Sequence, residues 1–329
     1  MTRRERVIAA LNHKDTGIVP YQMYFTGAAR EKFERELGKD FARNWGFFLH
    51  GYQYGYETSI GGGLNKDEAG VIRRTTGETS RVVNTLIPDI EDYGYKFPEI
   101  DEKRLRQDIE SHLNGKEDMF TFVGGAPLYE RACSLCGAEE VLMAMAAAPD
   151  ALLRLMSDIY EYNVKVMDIM LSYGFDAFYI GDDWASQRGL IMGKEHWRTF
   201  IKPFLKKLYQ KAKDKGRYVI QHSCGGNADI FPDLIEIGMD CYQTFQPECY
   251  DVEYIKKEYG NKMTIWGGIS AQGLLVSGTE EEVRAESRKM LKLLSEGGGY
   301  ILSPTHTVPH DVPTENLLAL YEVMSNQDQ

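Results

Sequence analysis

Short apolar runs, each ending in polar or glycine residues, alternate along this chain with long segments of helical period. The runs fall at 18–25, 119–123, 177–181, 218–222, 241–245, 263–266 and 300–303. Segments of helical spacing lie at 29–37, 100–113, 139–173, 194–215, 228–237, 252–259, 279–295 and 314–324. Strands that follow one another through a helix pair in parallel, because a tight hairpin can join only antiparallel neighbours. The pattern predicts an α/β chain built as a (β/α)8 TIM barrel, one domain over 1–329 with an N-terminal elaboration. Pro149-Asp150 splits the long segment, since proline and aspartate both suit a first helical turn. Thr279 and Glu282 form a capping box. The exception to the alternation is 70–86, where two short runs flank a Thr-Gly turn, and it predicts a β-hairpin inserted after the first strand.

In a barrel of this kind, chemistry belongs at the carboxyl ends of the strands. The unusual residues gather there: Asp182 and Asp183, His222 and Cys224, Gln246 and Glu248, and His306. His222 and Cys224 close the run Tyr218-Val-Ile-Gln-His222 and are followed by Gly225-Gly226. A strand that delivers a soft nitrogen and a soft sulfur to one point is a way to build a transition-metal site. His306 follows another apolar run, Tyr300-Ile-Leu302, and is the expected third ligand, ahead of His310. Zinc suits this nitrogen and sulfur set, and three protein ligands leave the open position a catalytic metal needs.

Other candidates carry less. Cys133 and Cys136 fall at the start of a helix rather than in a strand-to-helix turn, so a redox role is not expected. The triplets 61–63 and 297–299 are weak phosphate loops, because the second precedes its strand instead of following it. Aromatics crowd the N-terminal third, from Tyr21 to Tyr56, as core or as the lining of a cavity for a planar ligand. A formal charge of -11 and a pI near 5.2 argue against nucleic acid and anionic membranes as partners. The charged start, Met-Thr-Arg-Arg-Glu-Arg, lacks the apolar core of a signal peptide, and no window approaches a membrane span. Five cysteines, an odd number, read as reduced thiols of a cytoplasmic protein.

Several of these stretches resemble the uroporphyrinogen decarboxylase superfamily: 3–12 with Ile18-Val-Pro20, Gly125-Ala-Pro127 with Glu130-Arg131, Gly181-Asp-Asp183, His222-Ser-Cys-Gly225, Trp266-Gly-Gly-Ile269 and Pro313-Thr-Glu-Asn316. The resemblance implies the barrel and offers two activities. The decarboxylases hold substrate carboxylates with an arginine-rich segment after the first strand and need no metal. Here that place reads Tyr21-Gln-Met-Tyr-Phe-Thr-Gly27, without arginine. The cobamide methyltransferases hold zinc with His-X-Cys and a later cysteine. His222 and Cys224 match the first two, and Ser303-Pro-Thr-His306 puts a histidine where the last cysteine belongs.

One thiolate in place of two makes the metal a stronger Lewis acid, better suited to polarising an ether oxygen than to activating a thiol. The resemblance thus implies a zinc-dependent methyltransferase, the demethylase component that moves a methyl group from a small O-methyl donor, such as a methoxyaromatic, to the cob(I)amide of a corrinoid-binding partner protein. Asp182, Gln187, Arg188 and Gln246 are the residues expected to orient donor or cofactor. The alternatives are a metal-free decarboxylase and a corrinoid or tetrapyrrole carrier.

Overall fold

The computed structural model describes residues 1–77 and 79–327. Glu78, within the expected hairpin, and residues 328–329 lie outside them. Seven parallel strands, hydrogen-bonded in chain order, form one sheet: β1 (Leu49–Gln53), β2 (Phe120–Gly125), β3 (Ala177–Gly181), β4 (Tyr218–His222), β5 (Cys241–Phe245), β6 (Thr264–Ile269) and β7 (Tyr300–Pro304). Every pairing is to the next strand in sequence, which is what helical crossovers produce. The sheet curls. His222 at the end of β4 and His306 beyond β7 lie with ring centroids 6.4 Å apart, although β5 and β6 stand between their strands.

The expected first strand, 18–25, is not a full ladder. Tyr21 bridges Leu302 and Phe25 bridges Val308, each as a single parallel pair. Pro20 has no N–H to give, and the N–H of Leu49 goes to the Gln22 side-chain oxygen, 3.1 Å away, in place of a backbone partner. The segment nonetheless spans the two sheet edges. Leu302 N donates to Pro20 O (2.9 Å), and Phe48 N donates to Tyr21 O (3.3 Å).

β1 lies where only aromatic crowding was read. Its sequence, Leu-His-Gly-Tyr-Gln, has a polar or glycine residue at every second or third position and so hides the apolar run. Gly51 is required there, since a Cβ would sit 2.1 Å from the Phe122 ring. The insertion is larger than one hairpin. Ile72–Thr76 and Thr79–Val82 pair antiparallel as expected, but they extend a second hairpin, Glu57–Gly61 with Leu64–Asp67, into a four-stranded sheet. Gly61, Gly62 and Gly63 turn this second hairpin at φ 89°, 62° and 72°, a conformation glycine alone adopts freely, so this triplet is a turn and not a phosphate loop.

Most of the remaining elements follow their sequence signals, but the expected helix 194–215 breaks at Ile201 into Lys194–Phe200 and Lys202–Asp214, and 228–237 is a 3-10 turn followed by helix Phe231–Glu236. The split at Pro149 separates helices Ala138–Ala147 and Pro149–Met170, and the capping box at Thr279 opens helix Glu280–Ser295. Helices cover the outer face of the sheet. One apolar cluster runs from Val7 to Met324 and includes Val71 and Ile87, which flank the last two insert strands. Among the described residues no helix is long and apolar enough to cross a membrane.

Candidate metal centre

Side chains alternate along a strand, and that alternation builds the site. At β4, Gln221 points toward the helices and accepts from the Tyr209 hydroxyl (2.7 Å), while His222 faces a cavity of about 1800 Å³. At β3, Tyr179, Gly181 and, past the strand end, Asp183 line the same cavity at a spacing of two. Asp182 therefore turns the other way and is fully buried. Its carboxylate accepts from Tyr129 N (3.0 Å), Glu130 N (2.8 Å) and Trp184 Nε1 (2.7 Å). The first two are donors of the first turn of helix Tyr129–Cys136, which a helix cannot satisfy from within. Burial pushes the Asp182 carboxyl up to about 6, against the pull of these hydrogen bonds.

Three ligand-type atoms converge. Cys224 Sγ lies 3.6 Å from His222 Nε2, and Asp183 Oδ1 lies 3.6 Å from the same nitrogen. The ligand atoms of the trio all lie within 4.8 Å of one another. Asp183 Oδ1 also accepts from Cys224 N (2.7 Å), which fixes the carboxylate against the loop. The far ring nitrogen of His222, Nδ1, faces Gln243 Oε1, and the Tyr179 hydroxyl donates to the same oxygen at 3.0 Å. An amide oxygen can only accept, so Nδ1 carries the proton and Nε2 is left with its lone pair toward Cys224 and Asp183.

The loop after His222 is held from several sides. Asn227 Nδ2 donates to Cys224 O (2.9 Å), and Gly225 N donates to Gln246 Oε1 (2.6 Å). Gly225 has φ 80°, and a Cβ there would lie 2.5 Å from Ser186 O, so the short hairpin Ala185–Leu190 packs directly on this loop.

The trio fits a zinc ion. Tetrahedral zinc with bonds of about 2.0–2.3 Å places its ligand atoms roughly 3.3–3.8 Å apart, and two of the pairs here stand at 3.6 Å. Without a cation the Cys224 thiol is pushed far above its ordinary value by burial and by the Asp183 charge. A divalent ion inverts that balance and favours the thiolate.

His306 is placed beside the trio rather than in it. It is exposed to the cavity, and its Nδ1 lies 2.7 Å from Thr307 Oγ1. Burial of the ring among cavity walls, with His222 nearby, lowers its pKa. The four residues expected to orient a bound molecule stand elsewhere. Asp182 and Gln246 are buried and hold the scaffold, while Gln187 and Arg188 are exposed between the strands of the short hairpin, outside the cavity lining.

The cavity walls also hold residues assigned no individual role from the sequence. Glu130 faces the cavity, and its carboxyl is pushed up to about 8 by the protein around it and by Asp182 and Asp183. Arg73 reaches in from the insert, with its guanidinium 2.9 Å from Ser134 Oγ. Tyr54, Tyr129, Phe122 and Trp266 supply aromatic wall.

A curled parallel α/β sheet with nitrogen, sulfur and oxygen donors at its carboxyl edge, over a large aromatic cavity, defines a barrel-like protein with a candidate metal site. Residues 103–327 match the uroporphyrinogen decarboxylase (URO-D) family, and the chain belongs to that family. The methylated-thiol–coenzyme M methyltransferase of Methanosarcina mazei is 27% identical over 159 residues, 48% of this chain and 40% of that protein. The methylcobamide:CoM methyltransferase MtbA of Methanosarcina acetivorans is 26% identical over 166 residues, covering 50% of this chain and 46% of the relative. The uroporphyrinogen decarboxylase of Chloroherpeton thalassium is 24% identical over 264 residues, 77% of this chain and 70% of that one. This chain thus spans less than half the length of these two methyltransferases. The fold is shared with a solved methyltransferase from Methanosarcina mazei, with a TM-score of 0.77 at 19% identity over 100% of both chains.

Proposed function

We propose that this chain is a zinc-dependent methyltransferase that moves a methyl group from a small O-methyl donor to the cob(I)amide of a corrinoid protein. The observation that carries the reading is the convergence of His222, Cys224 and Asp183 at one point of the cavity wall. A half-buried thiol beside a carboxylate and a histidine tautomer fixed toward both has no evident task in a metal-free decarboxylase. Similarity to the two methyltransferases supports the same side. The cavity, about 1800 Å³, exceeds the 300–1,000 Å³ or so that one small ligand fills, which suits a donor and a corrin face to face.

His222 and Cys224 would hold zinc, with Asp183 and His306 as the flanking ligands, and the ion would supply Lewis acidity to the oxygen that loses its methyl group. The protein's own part is positional. Gln243 keeps the imidazole in one tautomer. Asp182 anchors helix Tyr129–Cys136, which carries Glu130 into the cavity wall. The aromatic walls exclude water and orient a flat donor. We read residues 20–26 as the eighth stave of a (β/α)8 barrel, and the cytoplasm as the compartment that keeps Cys224 reduced.

The test is spectroscopic. Purified protein, zinc, reduced corrinoid and a panel of methoxyarenes should give the absorbance change of methylcobamide together with a free hydroxyl. If no donor methylates cobalt while uroporphyrinogen loses carbon dioxide, the decarboxylase reading replaces this one.

A further inference from the structure

The four-stranded insert is a wall of the cavity. Arg73 and Val82 are direct cross-strand partners, so their side chains share one face of the sheet, and both line the cavity. That face is pinned to the barrel. Arg131, buried, donates to Asp67 Oδ2 at 2.9 Å and to Glu68 Oε1, both at the end of strand Leu64–Asp67. Arg73 itself donates to Ser134 Oγ on the same helix.

Cations in the cavity lining differ in how they are neutralised. Arg3 is paired with Asp118, Arg30 with Glu34, and Arg131 with Asp67 and Glu68. Arg73, Arg43 and the half-buried Lys116 have no carboxylate within ion-pair distance among the described residues, and of these only the arginines present a planar fork. Arg43 is exposed, whereas Arg73 is half-buried. A half-buried guanidinium with one neutral hydrogen bond keeps most of its five donors free, in the planar fork that matches a carboxylate. The aromatic surfaces of Tyr54, Tyr129 and Phe122 line the same cavity.

We propose that Arg73 is a specificity-determining residue that binds the carboxylate of an aromatic methyl donor, so that the substrates are methoxylated aromatic acids. This deepens the methyltransferase reading and rests on it only for the word donor. The carboxylate sits against the insert, the ring lies between the aromatic walls, and the methoxyl group reaches toward His222, Cys224 and Asp183. The arginine thus comes from the inserted sheet, and not from the segment after residue 20 where decarboxylases of this family would carry it.

Calorimetric titration of the purified protein with the three methoxybenzoate isomers and their neutral methoxybenzamides tests the proposal. At least one acid should bind ten-fold or more tightly than its amide. Arg73→Gln should erase that preference with an unchanged far-ultraviolet spectrum, Arg73→Lys should keep part of it, and Arg43→Gln should leave most of it. Equal affinity for acid and amide, no binding of either, or a preference that survives Arg73→Gln would overturn the assignment. Hydroxocobalamin is the control for another anion source. If Arg73→Gln weakens it and spares the acids, the arginine serves the corrinoid phosphate and the proposal fails. No methyl group moves in these titrations, so a lost acid preference and a failed cobalt methylation are separate results.

Discussion

The carboxyl ends of β3 to β5 and the insert at 57–82 are neighbours around one cavity, but they are built by opposite rules. The strand ends are the termini of nearly continuous buried runs, β5 being buried at every position. Strand Glu57–Gly61 of the insert is exposed at all five of its positions, and its sheet meets the barrel mainly through ion pairs and the buried Val71. A parallel strand covered on both faces tolerates little change of side chain. An exposed hairpin tolerates a great deal. On the proposed reading, reaction chemistry sits on the rigid element and choice of substrate on the replaceable one.

The comparison breaks first at the metal. His222→Ala and Cys224→Ala should each lower zinc affinity by about 100-fold or more, since each removes one of three convergent ligands. Metal content after dialysis against a chelator would show it. Asp183→Ala and His306→Ala decide between the flanking ligands: the closer contact of Asp183 predicts the larger loss. Undiminished zinc in His222→Ala would move the chemistry away from β4 altogether.

Next is the attachment of the insert. Asp67→Ala with Glu68→Ala leaves Arg131 as a buried charge without partners and should cost about 3–5 kcal/mol of unfolding free energy. Adding Arg131→Met should return part of it, as urea denaturation of the three variants would reveal. Deletion of 70–86 is not neutral either: it removes buried Val71 and strips strand Leu64–Asp67 of one of its two partners. A fully stable deletion variant would show that the insert is merely appended.

A smaller effect is expected one shell out. Gln243→Leu should weaken zinc binding by about 10-fold, at the lower end of the range for partners of metal-ligating histidines. Tyr179→Phe should do less, because it removes only the second hydrogen bond to the Gln243 oxygen. The smallest effect belongs to the outer insert strand. Ile60→Ser, at a side chain 48% exposed, should change stability by less than about 0.5 kcal/mol and leave metal content untouched.

The rigid region was the legible one. The bounds of β3, β4 and β5 coincide with their expected runs, because a strand covered on both faces is mostly apolar and aromatic and ends where that composition ends. β1 escaped notice because Gly51 gives its place to the Phe122 ring, which depends on a residue far away in the chain. In the site, His222 and Cys224 were visible from their position after β4. The choice of Asp183 over Asp182 was also present in the period of two from Tyr179 through Gly181, but reading it required extending the strand's alternation past its last residue. Gln187 and Arg188 were misplaced because a polar stretch after a strand looks alike whether it faces a cavity or water. Arg73 had no local signal, since its meaning depends on where the insert docks.

Asp182 and Asp183 share a peptide bond, and this joins two kinds of event. One carboxylate grips helix Tyr129–Cys136, which Arg131 ties to the insert carrying Arg73, and the other faces His222 and Cys224 at the proposed metal site. Thermodynamic linkage then requires reciprocity: whatever factor zinc adds to the affinity for an aromatic acid, the acid must add to the affinity for zinc. Titrating zinc with and without saturating methoxybenzoate measures that factor, and a value of one would mean that the two carboxylates act as strangers. A larger value would make loading ordered in effect, with a metal-free chain discriminating poorly among donors and a loaded one gaining its selectivity together with its reactivity.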